Sequence, residues 1–407
     1  MNPGQDFSGS DRSGYPDLEE NFQRYDVLKI NIEYYFIFIL TLVLSIIGII
    51  MISSASIAVG EKYFNDAFFF VRRQAIWWAL SFIALLLSSK INYRFYPKIA
   101  AILMLLSIGL LAFVLIPGVA QVIGGSRRWF NLFFFNVQPS EIAKISIILF
   151  ISGSLGTRYM PKPVFKNVLW PSFTVLLVVT LLIFLEPDFG TVVIIWIIVF
   201  AAFFIGNVRW PHILSLGASG IIVLIAYMFM EEYRRQRIFA YFNKTSETAG
   251  VNFQVNQSLI ALGSGNIFGL GLGNSIQKYS YLPEAHTDFI FAIIGEEFGI
   301  VGTVVIIVLF LAFAFFGIRI CQKSRDYYGR VLAGTLTAMI ISQAAVNIAV
   351  VIGLIPVTGL TLPFISYGGS SLLTCMIASG ILLNISRQNY MLVKKSNLEM
   401  KDSIRQQ

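Results

Sequence analysis

Ten stretches of the chain, near residues 34–54, 75–89, 99–116, 139–157, 168–185, 189–206, 211–230, 295–318, 331–354 and 370–390, are long and apolar enough to approach the roughly 20 residues that a membrane-crossing helix needs. A chain in lipid must satisfy its backbone hydrogen bonds internally, which leaves helices or closed barrels. These unbroken apolar runs lack the alternation of a barrel strand and select helices. Composition agrees: 56% of residues are hydrophobic and 13% charged, where soluble domains carry about 25% charge. The expectation is an all-α polytopic membrane protein with ten transmembrane helices.

The formal charge of +8 does not point to nucleic acid, because the basic residues are scattered between apolar stretches instead of clustering. They act as topology signals. An even number of spans puts both tails on one side, and the tails with alternate loops hold 19 Lys and Arg against 5 in the opposite short loops. Both termini are therefore expected to be cytoplasmic, with a large extracytoplasmic loop, residues 231–287, between helices 7 and 8. The expected divisions are a flexible N-terminal tail (1–30), a membrane domain (31–391) and a C-terminal tail (392–407). Inside the outer loop, VNFQVNQSLIALGSG has Val255, Leu259, Ile260 and Leu262 at the spacing of an amphipathic helix lying on the membrane. Cys321 and Cys375 fall at different depths, which argues against a disulfide.

Charged residues near the outer ends of the spans are the candidates for chemistry. Asp288, in YLPEAHTDFIF with Glu284 and His286 close by, is either a partly desolvated base or, with Thr287, the cap of the following helix. In GGSRRWFNLFFFNVQPSEIAK, Arg127 and Arg128 stand before Pro139, which opens a helix. They suit a phosphate or pyrophosphate seat, and equally a contact with lipid headgroups; Trp129 suits the interfacial belt. Glu141 and Lys144, three apart on that helix, share a face as a structural ion pair or as part of a polar cavity. Glu186 and Asp188 in EPDFG read as carboxylates for a divalent cation or as a tight turn. Glu296 and Glu297 open a long helix as dipole partners or inward acceptors, with a catalytic role as the lesser alternative. GLIPVTGLTLPFISYGGSS offers Ser366, Tyr367 and Ser370 to an outer cavity. There is no phosphate-binding GxxxxGK[ST], HExxH or CxxC sequence.

These same stretches, with FQVNQSLIALGSGNIFGLGLGNSIQKYSYLPEAHTDFIFAIIGEEFGIVG between them, lie in order from residue 124 to 371 and resemble the SEDS (FtsW/RodA) family of bacterial membrane proteins. SSAS after the first span and GSGNIFGLGLGNSIQK resemble its division branch more than its elongation branch. The resemblance implies a peptidoglycan glycosyltransferase of the cytoplasmic membrane, working at the division septum. It would polymerise lipid II beside a class B penicillin-binding protein, other divisome proteins and membrane lipids. The family's essential aspartate falls on Asp288. An acceptor 4-hydroxyl would attack the anomeric carbon of the growing chain with inversion, and undecaprenyl pyrophosphate would leave. Arg127, Arg128 and Lys144, or a divalent cation (Mg or Mn) for which Glu186 and Asp188 are candidates, would bear the leaving group's charge, and Trp129, Glu141, His286, Ser366 and Tyr367 would line the site. The alternatives are a lipid II flippase and a non-catalytic scaffold for the transpeptidase. The sequence departs from the family pattern at Asn266, a usual glycine, and in FNKTSETAGVNFQ, which lacks the common Asp-Pro.

Overall fold

The computed structural model describes residues 31–118, 120–123, 126–132, 135–156, 169–229, 251–279 and 281–405. Every apolar stretch coincides with a helix. In chain order these are α1 (Ile32–Ala55), a short α2 (Ile57–Phe64), α3 (Phe69–Lys90), α4 (Tyr96–Val114), α5 (Pro139–Gly156), α6 (Trp170–Leu185), α7 (Phe189–Ile205), α8 (Trp210–Phe229), α9 (Val251–Ser264), α10 (Ile290–Lys323), α11 (Tyr327–Val351) and α12 (Gly369–Arg405). Among the described residues seven helices are long and apolar enough to cross a membrane, and α6, α7 and the apolar part of α8 are shorter. The molecule is a polytopic helical membrane protein.

Local chemistry sets the helix starts. Asn31, Asp188 and Asp326 cap α1, α7 and α11 by accepting from Tyr34, Thr191 and Gly329 backbone N–H groups at 3.3, 3.2 and 3.1 Å. Pro97 and Pro171 occupy first turns, where a missing N–H costs nothing.

The centre is built from α5, α11 and α12, whose spans are 72, 61 and 89% buried, against 22% for α3 and α10. Such helices, apolar on every side, pack against protein within and leave an apolar exterior for lipid. One end of the bundle is tied by Arg319 and Lys323 on Glu33 and by Tyr93 on Asp326. At the other end meet the N-termini of α3, α5, α7, α10 and α12 and the C-termini of α4, α6 and α11. That end carries the candidate residues.

Four features depart from the sequence reading. A three-stranded antiparallel meander, β1 (Gln121–Ile123), β2 (Ser126–Leu132) and β3 (Phe135–Val137), occupies the link between α4 and α5. Its pairings include Val122 with Arg127 and Phe130 with Val137. Second, α10 begins at Ile290, so Glu296 and Glu297 lie inside it instead of opening it, and the helix breaks at Gly299 (φ 66°, ψ −160°). Third, α12 runs on as helix to Arg405, through the polar tail that hydropathy alone ends near 390. Fourth, α9 forms as expected but turns Ser258 and Ala261 inward while Leu259 and Ile260 are exposed. Small side chains let it approach α10 and α11 closely, and Ser258 donates to the Val351 carbonyl at 2.8 Å.

Candidate functional site

Three loops converge at the end of the bundle that holds Asp288: the turn between α6 and α7, the segment before α10, and the connection between α11 and α12. Side chains from within the spans brace them. Asn347 of α11 donates to the carbonyls of both Asp288 (2.7 Å) and Leu360 (2.6 Å). Ser366 donates to the Thr287 carbonyl at 2.6 Å and accepts from Leu362 N–H at 2.8 Å. Tyr367 N–H donates to the His286 carbonyl at 3.0 Å. Gln74 of α3 accepts from Gly368 N–H at 3.3 Å. Ser366 therefore positions backbone and is no nucleophile, as its buried hydroxyl is already engaged. His286 forms a three-ring cluster with Phe70 and Tyr367, with centroids 4.6 and 5.6 Å away and the latter two 5.1 Å from each other. Burial lowers the pKa of its imidazole, against the opposing pull of Glu284, and its Nδ1 has no partner among the described residues. Burial raises the Tyr367 hydroxyl, and Arg73 beside it works the other way.

Asp288 does not cap α10. The cap position is Phe289, which makes no side-chain cap bond, and the Thr287 hydroxyl turns back to Glu284. The Asp288 carboxylate is left half-buried and accepts no hydrogen bond from a described residue. Its pKa is pushed up to about 7, first by withdrawal from water, then by Glu284 and Asp188, with Arg128 opposing. A carboxylate poised there is suited to take a proton at neutral pH.

The turn between α6 and α7 brings in the other charges. Arg128, carried on β2, donates through Nε to the Glu186 carbonyl at 3.0 Å and through a terminal nitrogen to that of Pro187. Phe130, two residues on, stacks on Phe113 of α4 at 5.5 Å and fixes the strand. Asp188 is fully occupied as a cap: besides Thr191 N–H it accepts from the Thr191 hydroxyl (2.8 Å) and Gln138 Nε2 (3.1 Å). Glu186 is fully buried and neither carboxylate oxygen has a partner among the described residues. Burial, with Asp188 adding, raises its pKa to about 9 against the pull of Arg128, so it is protonated at neutral pH.

A metal would need converging, ionised donors. Among the described residues no three His, Cys, Asp or Glu side chains converge. Asp188 spends its oxygens on Thr191 and Gln138, so the EPDFG carboxylates fit the reading as a turn. Trp129 is half-buried on β2 beside Arg128. Arg127 is on the same strand, with its side chain outside the described part of the structure, as are residues 231–250 of the long loop.

Glu141 and Lys144 form a closed pair. The Lys144 ammonium, fully buried, donates to Glu141 at 2.9 Å and to Gln343 Oε1 at 2.7 Å. Gln343 Nε2 in turn donates to Thr361 and Ser371. This favours the structural reading of the pair, since the buried ammonium is held by two side chains of the bundle, while Glu141 Oε2 has no hydrogen-bond partner among the described residues. Gln343, Asn347 and Gln74 went unnoticed in the sequence; their signal was the rare polar amide within an apolar span.

A helical membrane protein with a perturbed carboxylate, unpaired among the described residues, at one end of the bundle is the class these features define. The family profile described as "Cell cycle protein", FtsW/RodA/SpoVE, matches residues 34–391. The chain belongs to the FtsW/RodA/SpoVE family. It is 40% identical to stage V sporulation protein E of Bacillus subtilis, over 86% of this chain and 95% of that one. It is 36% identical to the probable peptidoglycan glycosyltransferase FtsW of Geobacter sulfurreducens, over 90% and 96%. Its fold matches a solved peptidoglycan synthase complex that coordinates polymerization and crosslinking (TM-score 0.69, 26% identity, 87% of this chain, 97% of that one). It also matches the rod shape determining protein RodA of Thermus thermophilus (TM-score 0.63, 27% identity, 87% and 96%).

Proposed function

We propose that the protein is a peptidoglycan glycosyltransferase that polymerises lipid II at the outer face of the bacterial cytoplasmic membrane, with ten spans and both termini inside. The observation that carries this reading is the Asp288 carboxylate, free of any cap and held near neutrality by burial. It takes the proton of the acceptor 4-hydroxyl as that oxygen attacks the anomeric carbon of the growing strand. The bond to undecaprenyl pyrophosphate breaks on the opposite face, giving inversion. Arg128, with Arg127 of the same strand as a second cation, balances the charge that builds on the departing pyrophosphate. Lys144 is too deep and too fully paired for that task, and lies beneath the site as a brace. Glu141, Ser366 and Tyr367 act likewise, by holding the backbone and spans that position Asp288.

The likeness to FtsW relatives, within a family described as cell cycle protein, supports a role in septal wall synthesis during division, with a class B penicillin-binding protein crosslinking the strands. The test is polymerisation of labelled lipid II by the purified protein with that partner. Wild type is expected to give long strands, and Asp288→Asn to lose roughly 10²–10⁴-fold in rate while remaining folded, the usual worth of a general base. Absence of strands from wild type, beside an active control polymerase, would favour the flippase or scaffold alternatives.

A further inference from the structure

The break in α10 is mended by another segment of the chain. Where Gly299 interrupts the helix, the carbonyls of Glu296 and Glu297 accept from Leu270 and Gly271 N–H, both at 2.9 Å. The N–H groups of Ile300 and Val301 donate to the carbonyls of Asn266 and Ile267, at 3.0 and 3.2 Å. These four bonds satisfy backbone that a broken helix would leave bare, which no lipid-exposed chain tolerates. Glycine is required at the contact: a β-carbon on Gly269 (φ +81°) would overlap the Glu297 carbonyl, and one on Gly299 would overlap the Ile267 carbonyl. A buried cluster fixes the far end of the segment. Lys278 Nζ donates to Glu297 (3.2 Å) and Ser54 (3.0 Å), and Glu296 accepts from Ile276 N–H (2.9 Å) and from the Ser275 hydroxyl.

The segment thus fastened shows water or lipid an apolar edge. Ile267, Phe268 and Leu272 are 58, 80 and 53% exposed, and no charged residue occurs from Gly265 to Ile276. The edge is continuous with the outward face of a membrane span, because Ile267 bonds directly to Val301, and Ile300 and Val301 are themselves exposed. The level can be set as well. The 20 residues from Ile300 to Arg319 rise about 30 Å, the thickness of a bilayer's hydrocarbon core. Arg319 lies at the opposite end, paired with Glu33 at 3.1 Å. The mended break therefore falls at the hydrocarbon boundary on the Asp288 side.

We propose that the strip Ile267–Leu272 is a membrane-seated element, its side chains inserted among the acyl chains at the boundary of the leaflet on the Asp288 side. It would hold the loop that leads into Asp288 at the height of the headgroups. Seating requires no transferase activity and is measured without it.

The experiment is spin labelling of the full-length chain in vesicles of phosphatidylethanolamine and phosphatidylglycerol. Both native cysteines are buried, so the label goes to an introduced one. Phe268→Cys and Leu272→Cys are compared with Val304→Cys on the exposed face of α10 and with Glu61→Cys on the exposed surface of α2. At 268 and 272 the nitroxide is expected to collide with oxygen more than with a water-soluble nickel chelate, as at 304, with the order reversed at 61. Nickel collisions exceeding oxygen collisions at 268 and 272 would overturn the proposal. So would a label shielded from both reagents, which would mean that protein, a second copy or a partner, covers the strip.

Discussion

Two groups of charges lie near the start of α10 and differ in one respect. In the cluster of Lys278, Glu296 and Glu297 each charged group has protein partners: the ammonium meets Glu297, Ser54 and the Gly273 carbonyl, and Glu296 meets a hydroxyl and backbone N–H groups. In the cluster of Asp288, Glu186, Asp188 and Arg128, one carboxylate is a cap, one is protonated and buried, and one accepts no hydrogen bond from a described residue. Burial alone therefore does not mark the reactive group. What marks Asp288 is that it neither caps a helix, as Asp188 does, nor keeps its proton at neutral pH, as Glu186 does although its oxygens also lack a partner among the described residues, and the Lys278 cluster shows how the same fold pairs charges that join loop to helix.

Breaking the satisfied side should give the largest change in stability. Lys278→Met leaves Glu297, which is fully buried, without its cation, and one-sided loss of a buried pair costs about 3–5 kcal/mol. Thermal unfolding in detergent should show a large fall, and Lys278→Met with Glu297→Leu should recover part of it. A neutral result for the single variant would mean the pair is not holding the loop.

On the open side the next effect concerns pH. Arg128 lowers the pKa of Asp288, so Arg128→Gln should move the rising limb of the polymerisation rate to higher pH, beyond any change in substrate affinity. An unmoved limb would separate Arg128 from the base. The last effect is a slope and concerns Glu186. Unfolded, it releases its proton near pH 4.3; folded, near 9. Between those values the folded state binds more protons, so this group's contribution to stability declines as pH rises. Glu186→Gln removes the titration and should flatten the slope of melting temperature against pH over that interval.

The transmembrane helices were legible because hydropathy reports what faces lipid, and apolar runs of this length admit few alternatives. The meander at 121–137 was not, since GGSRRWFNLFFFNV shows no clean alternation. The Gly299 break was hidden because its mending partner lies some thirty residues earlier in the chain and no local signal announces the pairing. At the site, Asp288, Arg128, Glu186 and Asp188 were all visible as charges near span ends. Whether Asp288 or Asp188 was the cap was not, because identical side chains differ only in whether the following helix places an N–H within reach: Thr191 does so for Asp188, and α10 starts one residue too late for Asp288. The inward set of Ser258 and Ala261 on α9 was missed for a related reason, as close helix contact selects small residues over apolar ones.

The dependence of lipid II polymerisation on pH, measured for wild type and Asp288→Asn with the crosslinking partner present, tests the role of the open carboxylate most directly. The expected wild-type rate rises with pH through a midpoint near 7, where Asp288 loses its proton, and the residual rate of the variant is flat across that range. A wild-type limb near pH 4, or a limb near 7 that persists in Asp288→Asn, would contradict the assignment of Asp288 as the base.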